Sequence, residues 1–141
     1  MSEQEIRTLT EQWLGGWDVG DQTFDGAVFR TLFAPGEDAI AVFDNAAGGI
    51  VELSSVDAYI DTWVTFMAPM SHWAVTLEDL EIQVADDMAL ASFRIRGTDT
   101  RDADGAPVPF LQRGTHVWRR LPEHGWRLVH EHLTAYSEDA S

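Results

Sequence analysis

The sequence predicts an α+β fold, because helical periodicity fills its first half, two-residue alternation fills its second, and the two do not interleave. Ser2 and Glu5 form a capping-box pattern, and Ile6, Leu9, Trp13, Leu14 and Trp17 follow at helical spacing. Gly15-Gly16 weakens the end of this helix and Gly20 supplies a stop. A second short helix is expected from about Asp25, with Val28, Phe29, Leu32 and Phe33 apolar, up to Pro35-Gly36. Two short strands, Ala39–Phe43 and Ile50–Leu53, flank a turn at Asp44–Gly49. Ser54 and Asp57 then open a third helix, whose stripe of Val56, Tyr59, Ile60, Trp63, Val64 and Met67 ends at Pro69.

After Pro69 the period changes to two. Trp73, Val75 and Leu77 alternate, but the apolar phase then jumps to Leu80, Ile82 and Val84, which predicts a β-bulge and a bent sheet. Asp86-Asp87 turns the chain into a strand over Met88–Gly97. The polar run Thr98–Pro109 reads as a loop, and strands Phe110–Leu121 and Trp126–Tyr136 complete a sheet of about six strands. The whole chain, 1–141, reads as one domain without repeats or low-complexity linkers.

Composition removes several classes of function. There are 24 acidic residues against nine basic ones, all Arg, for a net charge of −15. A phosphate-binding surface needs the opposite sign, so neither nucleic acid nor an anionic membrane is an expected partner. Lysine and cysteine are absent, which excludes Schiff-base chemistry, thiolate nucleophiles and zinc–thiolate sites. No apolar run approaches the ~20 residues of a membrane span, and Met1–Thr10 is unlike a signal sequence, so a cytoplasmic location is expected.

The last two strands carry the most chemistry. A four-residue turn at Pro122–Gly125 would set Leu121 opposite Trp126, Arg119 opposite Leu128, Val117 opposite His130, Thr115 opposite His132 and Arg113 opposite Thr134. Arg113, Thr115, Val117, Leu128, His130 and His132 then share one face, read here as the wall of a small-molecule pocket. His116, Trp118, Val129, Glu131 and Leu133 share the other, with His116 opposite Glu131. Both faces are half apolar, so the second is expected to be buried partly in a homodimer.

The run Arg113-Gly-Thr-His-Val-Trp-Arg-Arg, a short turn, and Trp126-Arg-Leu-Val-His130-Glu-His132-Leu-Thr resembles the C-terminal signature of SnoaL-like proteins of the NTF2-like superfamily. The order of helices and strands resembles that family over nearly the whole chain. The resemblance implies a cone of three early helices in a strongly bent, mostly antiparallel mixed sheet. It also implies a dimer and a cavity lined by the Arg/Thr and His-x-His side chains. Superfamily members include isomerases, cyclases, dehydratases and epoxide hydrolases as well as domains that catalyse nothing, so the fold does not give the activity.

Asp44, after Ala41-Val-Phe, is similar in place to the general base of ketosteroid isomerases. A carboxylate on an apolar wall can carry a raised pKa and shuttle a proton. The competing reading is that Asp44-Asn45 merely starts a turn. The oxyanion-binding Tyr and Asp of those isomerases have no counterpart here, since Tyr59 and Tyr136 lie elsewhere. His130 and His132 suit acid–base work or hydrogen bonding to a carbonyl, or they simply fill the cavity. As metal ligands they lack further donors, so no metal and no cofactor is expected. Arg113 suits a carboxylate or enolate, or an internal ion pair. Trp13, Trp17, Tyr59 and Trp63 could stack on a flat ligand or form plain core. Asp102-Ala-Asp104-Gly105 lacks the rest of a calcium loop and reads as an exposed turn. The two expectations for function are cofactor-free isomerisation, cyclisation or dehydration of a small apolar carbonyl compound, and a non-catalytic ligand-binding or dimerisation module.

Overall fold

The computed structural model describes residues 2–137. Helix α1 (Ser2–Trp17) buries Ile6, Thr10, Trp13 and Trp17, three to four residues apart as a single stripe requires. Thr10 is tolerated in that stripe because its hydroxyl donates to the Ile6 carbonyl at 2.8 Å. Gly16 does more than weaken the helix end. A Cβ there would lie 2.6 Å from Val28 and 2.8 Å from Phe29, so its lack of a side chain lets the next segment cross α1. Helix α2 (Phe29–Leu32) is a single turn, shorter than the sequence predicts. Asp25 instead folds back to accept the Ala27 amide at 2.9 Å, and Gly26 sits at φ +73°, so the helix cannot start before them. Helix α3 (Val56–Met67) is capped by Ser55, which accepts the Ala58 amide, and not by Ser54.

The strands are β1 (Ala41–Asp44), β2 (Val51–Leu53), β3 (His72–Ala85), β4 (Met88–Arg101), β5 (Leu111–Leu121) and β6 (Gly125–Ala135). They form one mixed sheet in the order β2-β1-β6-β5-β4-β3, antiparallel except where β1 runs parallel to β6. The sheet curls around the helices without closing. The predicted bulge in β3 is present: the register shifts between Glu78 and Glu81, with Asp79 at φ +55°. Strand β4 runs on through Thr98–Arg101, part of the segment read from sequence as a loop. Thr100 accounts for this, since its main chain and its hydroxyl both bond Val108, doubling the end of the strand back on itself.

A bulge between β5 and β6 decides which face is inner. Val117 opposes His130, but Trp118 opposes Leu128, leaving Val129 as the extra residue of β6. The turn-based pairing therefore holds from Val117 to Arg113 and slips by one residue nearer the turn, where Leu121 opposes Gly125. The bulge splices two apolar half-faces into one. Trp126, Leu128, Glu131 and Leu133 of β6 join Gln112, His116 and Trp118 of β5 as buried residues. The face assigned from sequence to a partner copy is thus the inner one, packed against the helices. Gly114 lies in the same row as Leu133, and a Cβ on it would meet Phe93 at 2.4 Å and Leu133 at 2.6 Å.

Candidate functional site

Asp44 ends β1 on the inner side of the sheet and is only 2% exposed. Its Oδ1 accepts the Ala46 amide at 2.7 Å and the Gln112 side-chain amide at 3.0 Å. Burial drives the carboxyl up to about 7; the Ala46 and Gln112 bonds oppose the rise and the nearby Glu131 adds to it. Asp44 thus makes the turn bond expected of an Asx residue and also stands on the wall of a cavity.

That cavity is small, about 20 Å³, roughly the space of one water. Its walls are Asp44, Gln112, Leu133, Val75 and Ile95, the rings of Trp13, Trp17, Trp63 and Trp73, and the half-exposed Ala46, Phe66 and Phe110. The four indole N–H groups on these walls are all buried and all lack a hydrogen-bond partner. Unmet buried donors are costly, about 1–3 kcal/mol each; the Trp13 N–H is turned to Glu131, so those of Trp17, Trp63 and Trp73 are the ones left unmet.

Behind the Trp13 wall lies the pair expected from the register. His116 Nε2 stands 3.0 Å from Glu131 Oε1, both side chains wholly inaccessible. Burial pushes the Glu131 acid up to about 8 and the His116 imidazole down to about 3, disfavouring the charged form of each. The Tyr59 hydroxyl and the Trp13 indole N–H face Glu131 and oppose its rise, although neither makes a well-aligned bond. Tyr59 itself is fully buried, with its own titration pushed well up by burial and by Glu131. Trp13 packs edge-on against His116 at 4.5 Å between centroids, which ties the pair to the cavity wall.

The other sequence-predicted residues fall on the far side of the sheet. Arg113, Thr115 and His132 do come together, in an open basin of about 600 Å³ that they share with Asp79, Glu81, Ser92, Arg94 and Thr134. His132 is exposed, its ring against Phe43 at 4.8 Å and its Nε2 3.3 Å from the Thr134 hydroxyl. His130 is half-buried on the same outer face, beside Phe43 and Glu52, and is shifted down by burial first and by His132 and His116 after it. None of these four shares the cavity of Asp44, because the face assignment was inverted. Trp13, Trp17 and Trp63 do line that cavity, whereas Tyr59 stands behind it. Gln112 was missed in the sequence, where a lone Gln in a strand gives no signal. Among the described residues no group of three His, Asp or Glu is placed to hold a metal ion. Among the described residues no helix is long and apolar enough to cross a membrane. The Asp102 loop is the exposed turn expected, with Asp102 Oδ1 accepting the Asp104 and Ala106 amides.

A curled six-stranded mixed sheet around three helices is the NTF2-like form of the α+β class. The SnoaL-like domain matches residues 22–136, and the chain belongs to that family. Solved structures share the fold. An NTF2-like protein of unknown function from Pseudomonas putida is 26% identical, with 99% of this chain and 89% of that one covered at a TM-score of 0.71. A candidate dehydratase of the NTF2-like family from Streptomyces avermitilis is 17% identical, covering 97% and 99% at 0.69. A candidate ketosteroid isomerase from Parabacteroides distasonis is 19% identical, covering 94% and 86% at 0.60. No curated protein matches the sequence.

Proposed function

We propose that this SnoaL-like protein binds a small, mostly apolar, carbonyl-bearing molecule inside the sheet and moves a proton on it without a cofactor, Asp44 acting as base. The observation that carries this reading is a carboxyl 2% exposed, on an aromatic wall, with its titration brought to about 7. A base whose pKa lies near neutrality is both ionised enough to accept a proton and basic enough to hold it. The Gln112 amide and the unmet indole donors supply neutral hydrogen bonds for the oxygen that gains charge. That role passes to them from Arg113, Thr115, His130 and His132, which lie across the sheet. Isomerisation, cyclisation and dehydration all begin with such a step.

The test is deuterium incorporation from D2O into a panel of enolisable ketones, followed by NMR. The wild-type protein exchanges the α-hydrogens of at least one of them, and Asp44→Asn lowers that rate by about 10²–10⁴-fold. Equal rates in the two proteins would remove Asp44 from the chemistry and favour a binding module.

A second copy of the chain is the proposed partner, through the outer face of the sheet. Met88 and Leu90 are exposed there in the rows of Arg119 and Val117. Arg113 lies near the middle of that face, with Asp79 and Glu81 on β3 at one side and Glu52 on β2 at the other. Opposite charges on one face allow it to complement itself about a two-fold axis. Light scattering on the eluting protein would give twice the 15.8 kDa chain mass, and Leu90→Asp would return it to the monomer.

A further inference from the structure

A cavity of about 20 Å³ admits no carbonyl compound of the proposed kind, so part of its wall must move. Nine of its twelve lining residues are buried, and only Ala46, Phe66 and Phe110 reach the surface. Of the segments that carry these three, α3 packs Tyr59, Ile60, Trp63 and Met67 into the core, and the approach to β5, though exposed at Ala106, Pro107 and Pro109, is tied to β4 by the Val108–Thr100 and Gly97–Phe110 main-chain bonds. The turn at residues 45–50 is different. Ala47, Gly48, Gly49 and Ile50 are all exposed, and a Cβ on Gly48 or Gly49 would touch nothing within 4 Å. Two hydrogen bonds hold the turn down. The Asn45 side-chain oxygen accepts the Ala135 amide at the end of β6, and the Ala46 amide donates to Asp44, both at 2.7 Å. So few attachments make it the wall of lowest local stability.

We propose that Asn45 is a positioning residue: its side chain latches this turn over the mouth of the chamber, and its release opens the cavity and withdraws the Ala46 amide from Asp44 in one movement. The inference rests on the reading of Asp44 as the base. Its consequence is that entry and activation are coupled. Opening admits water and removes the desolvation that is the largest cause of the raised titration, which outweighs the lost Ala46 donor, so the closed site holds a stronger base than the opened one. The coupling is reciprocal, and ionisation of Asp44, which favours the solvated state, loosens the turn. The other titratable groups that face Asp44 are Glu131 on β6 and Tyr59 on α3, with His116 of β5 behind Glu131. Gln112 is neutral and remains bonded to Asp44 in either state.

The test needs no substrate. Amide hydrogen exchange and acrylamide quenching of tryptophan fluorescence are measured on the whole protein, wild type and Asn45→Ala. With the latch removed, the Ala46 amide exchanges about fivefold faster, the effect of one ordinary hydrogen bond, and quenching of the chamber tryptophans rises. Asn45→Asp, which keeps an acceptor oxygen, restores protection against quenching. The carboxyl carbon resonance of Asp44, identified by its loss in Asp44→Asn, titrates at lower pH in Asn45→Ala than in wild type. A merely structural Asn45 would leave that midpoint where it was. Should Asn45→Ala fail to fold, wild-type exchange still decides: the Ala46 and Ala135 amides must open together, and their protection must be lower above the Asp44 midpoint than below it. Independent opening of the two amides, or an unmoved Asp44 midpoint in Asn45→Ala, overturns the latch. Neither result depends on whether any ketone is turned over, so failure of the latch and failure of the proposed function remain distinct.

Discussion

Asp44→Asn separates what the buried carboxyl does for chemistry from what it does to stability. Both hydrogen bonds of Asp44 fall on Oδ1, one from Ala46 and one from Gln112, and the amide oxygen of an Asn side chain can accept both. The substitution therefore preserves the contacts and removes only the ionisation. In the folded protein the carboxyl titrates at about 7, against 3.8 when unburied. A pKa raised by folding means that the native state binds the proton more tightly than the unfolded state. Its stabilising contribution is complete below pH ~4 and is lost progressively as pH rises to about 7, beyond which the loss is constant. The rise from 3.8 to about 7 corresponds to about 4 kcal/mol. The Asp44→Asn protein is expected to match wild type near pH 4 and to exceed it by up to that amount at pH 8. Urea unfolding at both pH values measures the difference. A pH-independent difference, or a substituted protein less stable than wild type at pH 8, refutes the assignment of a buried acid held up by desolvation.

Three further outcomes follow from the inner face. Gly114→Ala drives a methyl to within 2.4 Å of Phe93 and 2.6 Å of Leu133, so thermal unfolding should show a loss of about 1–3 kcal/mol. Glu131→Leu strips His116 of its partner and costs about 1–3 kcal/mol, whereas Glu131→Gln keeps a hydrogen-bonding neighbour and unfolds in urea at least as late as wild type above pH 8. Deleting Val129 removes the extra residue of β6 and leaves a regular hairpin with the same inner set, at a cost of about 1–2 kcal/mol for the lost side chain. If the deleted protein instead loses its fold, the bulge has been placed wrongly.

The alternation of β3 announced its bulge because the apolar residues change phase openly, from Trp73, Val75 and Leu77 to Leu80, Ile82 and Val84. The bulge of β6 was hidden for a physical reason. Leu128 and Val129 are adjacent and both apolar, so the pattern reads equally well in either phase, and a turn of fixed length suggests a regular ladder. One unseen residue then inverted the faces of the hairpin. It cost the assignment of Arg113, Thr115, His130 and His132 to the cavity, while the His116–Glu131 pairing survived because it lies beyond the slip. The tryptophan stripes were legible as inward-facing. Their unmet N–H groups were not, since an orphan donor is defined by what surrounds it. Asp44 could be found because its place after Ala41-Val-Phe and before a glycine turn resembles that of the general base of ketosteroid isomerases. Its partner Gln112 lies 68 residues away and could be identified only once β5 and β1 were placed around β6.

The charge of the molecule and the charge of the site are separate matters. Asp44 and Glu131 are the only buried acids among the described residues, and no buried Arg accompanies them. The remaining acidity lies in contact with solvent and repels anions, which favours a neutral ligand. Inside, a neutral carbonyl compound facing ionised Asp44 gives the chamber one negative charge. In the proposed reaction, transfer of the α-hydrogen to Asp44 moves that charge onto the substrate oxygen without changing the total. A cation placed beside Asp44 would hold its proton off more firmly and weaken it as a base. Neutral donors such as Gln112 and the indoles avoid that loss while still receiving the charge when it arrives. The position of the nine Arg, all outside this chamber, is therefore consistent with a base that works near neutrality and with an oxygen stabilised by dipoles alone.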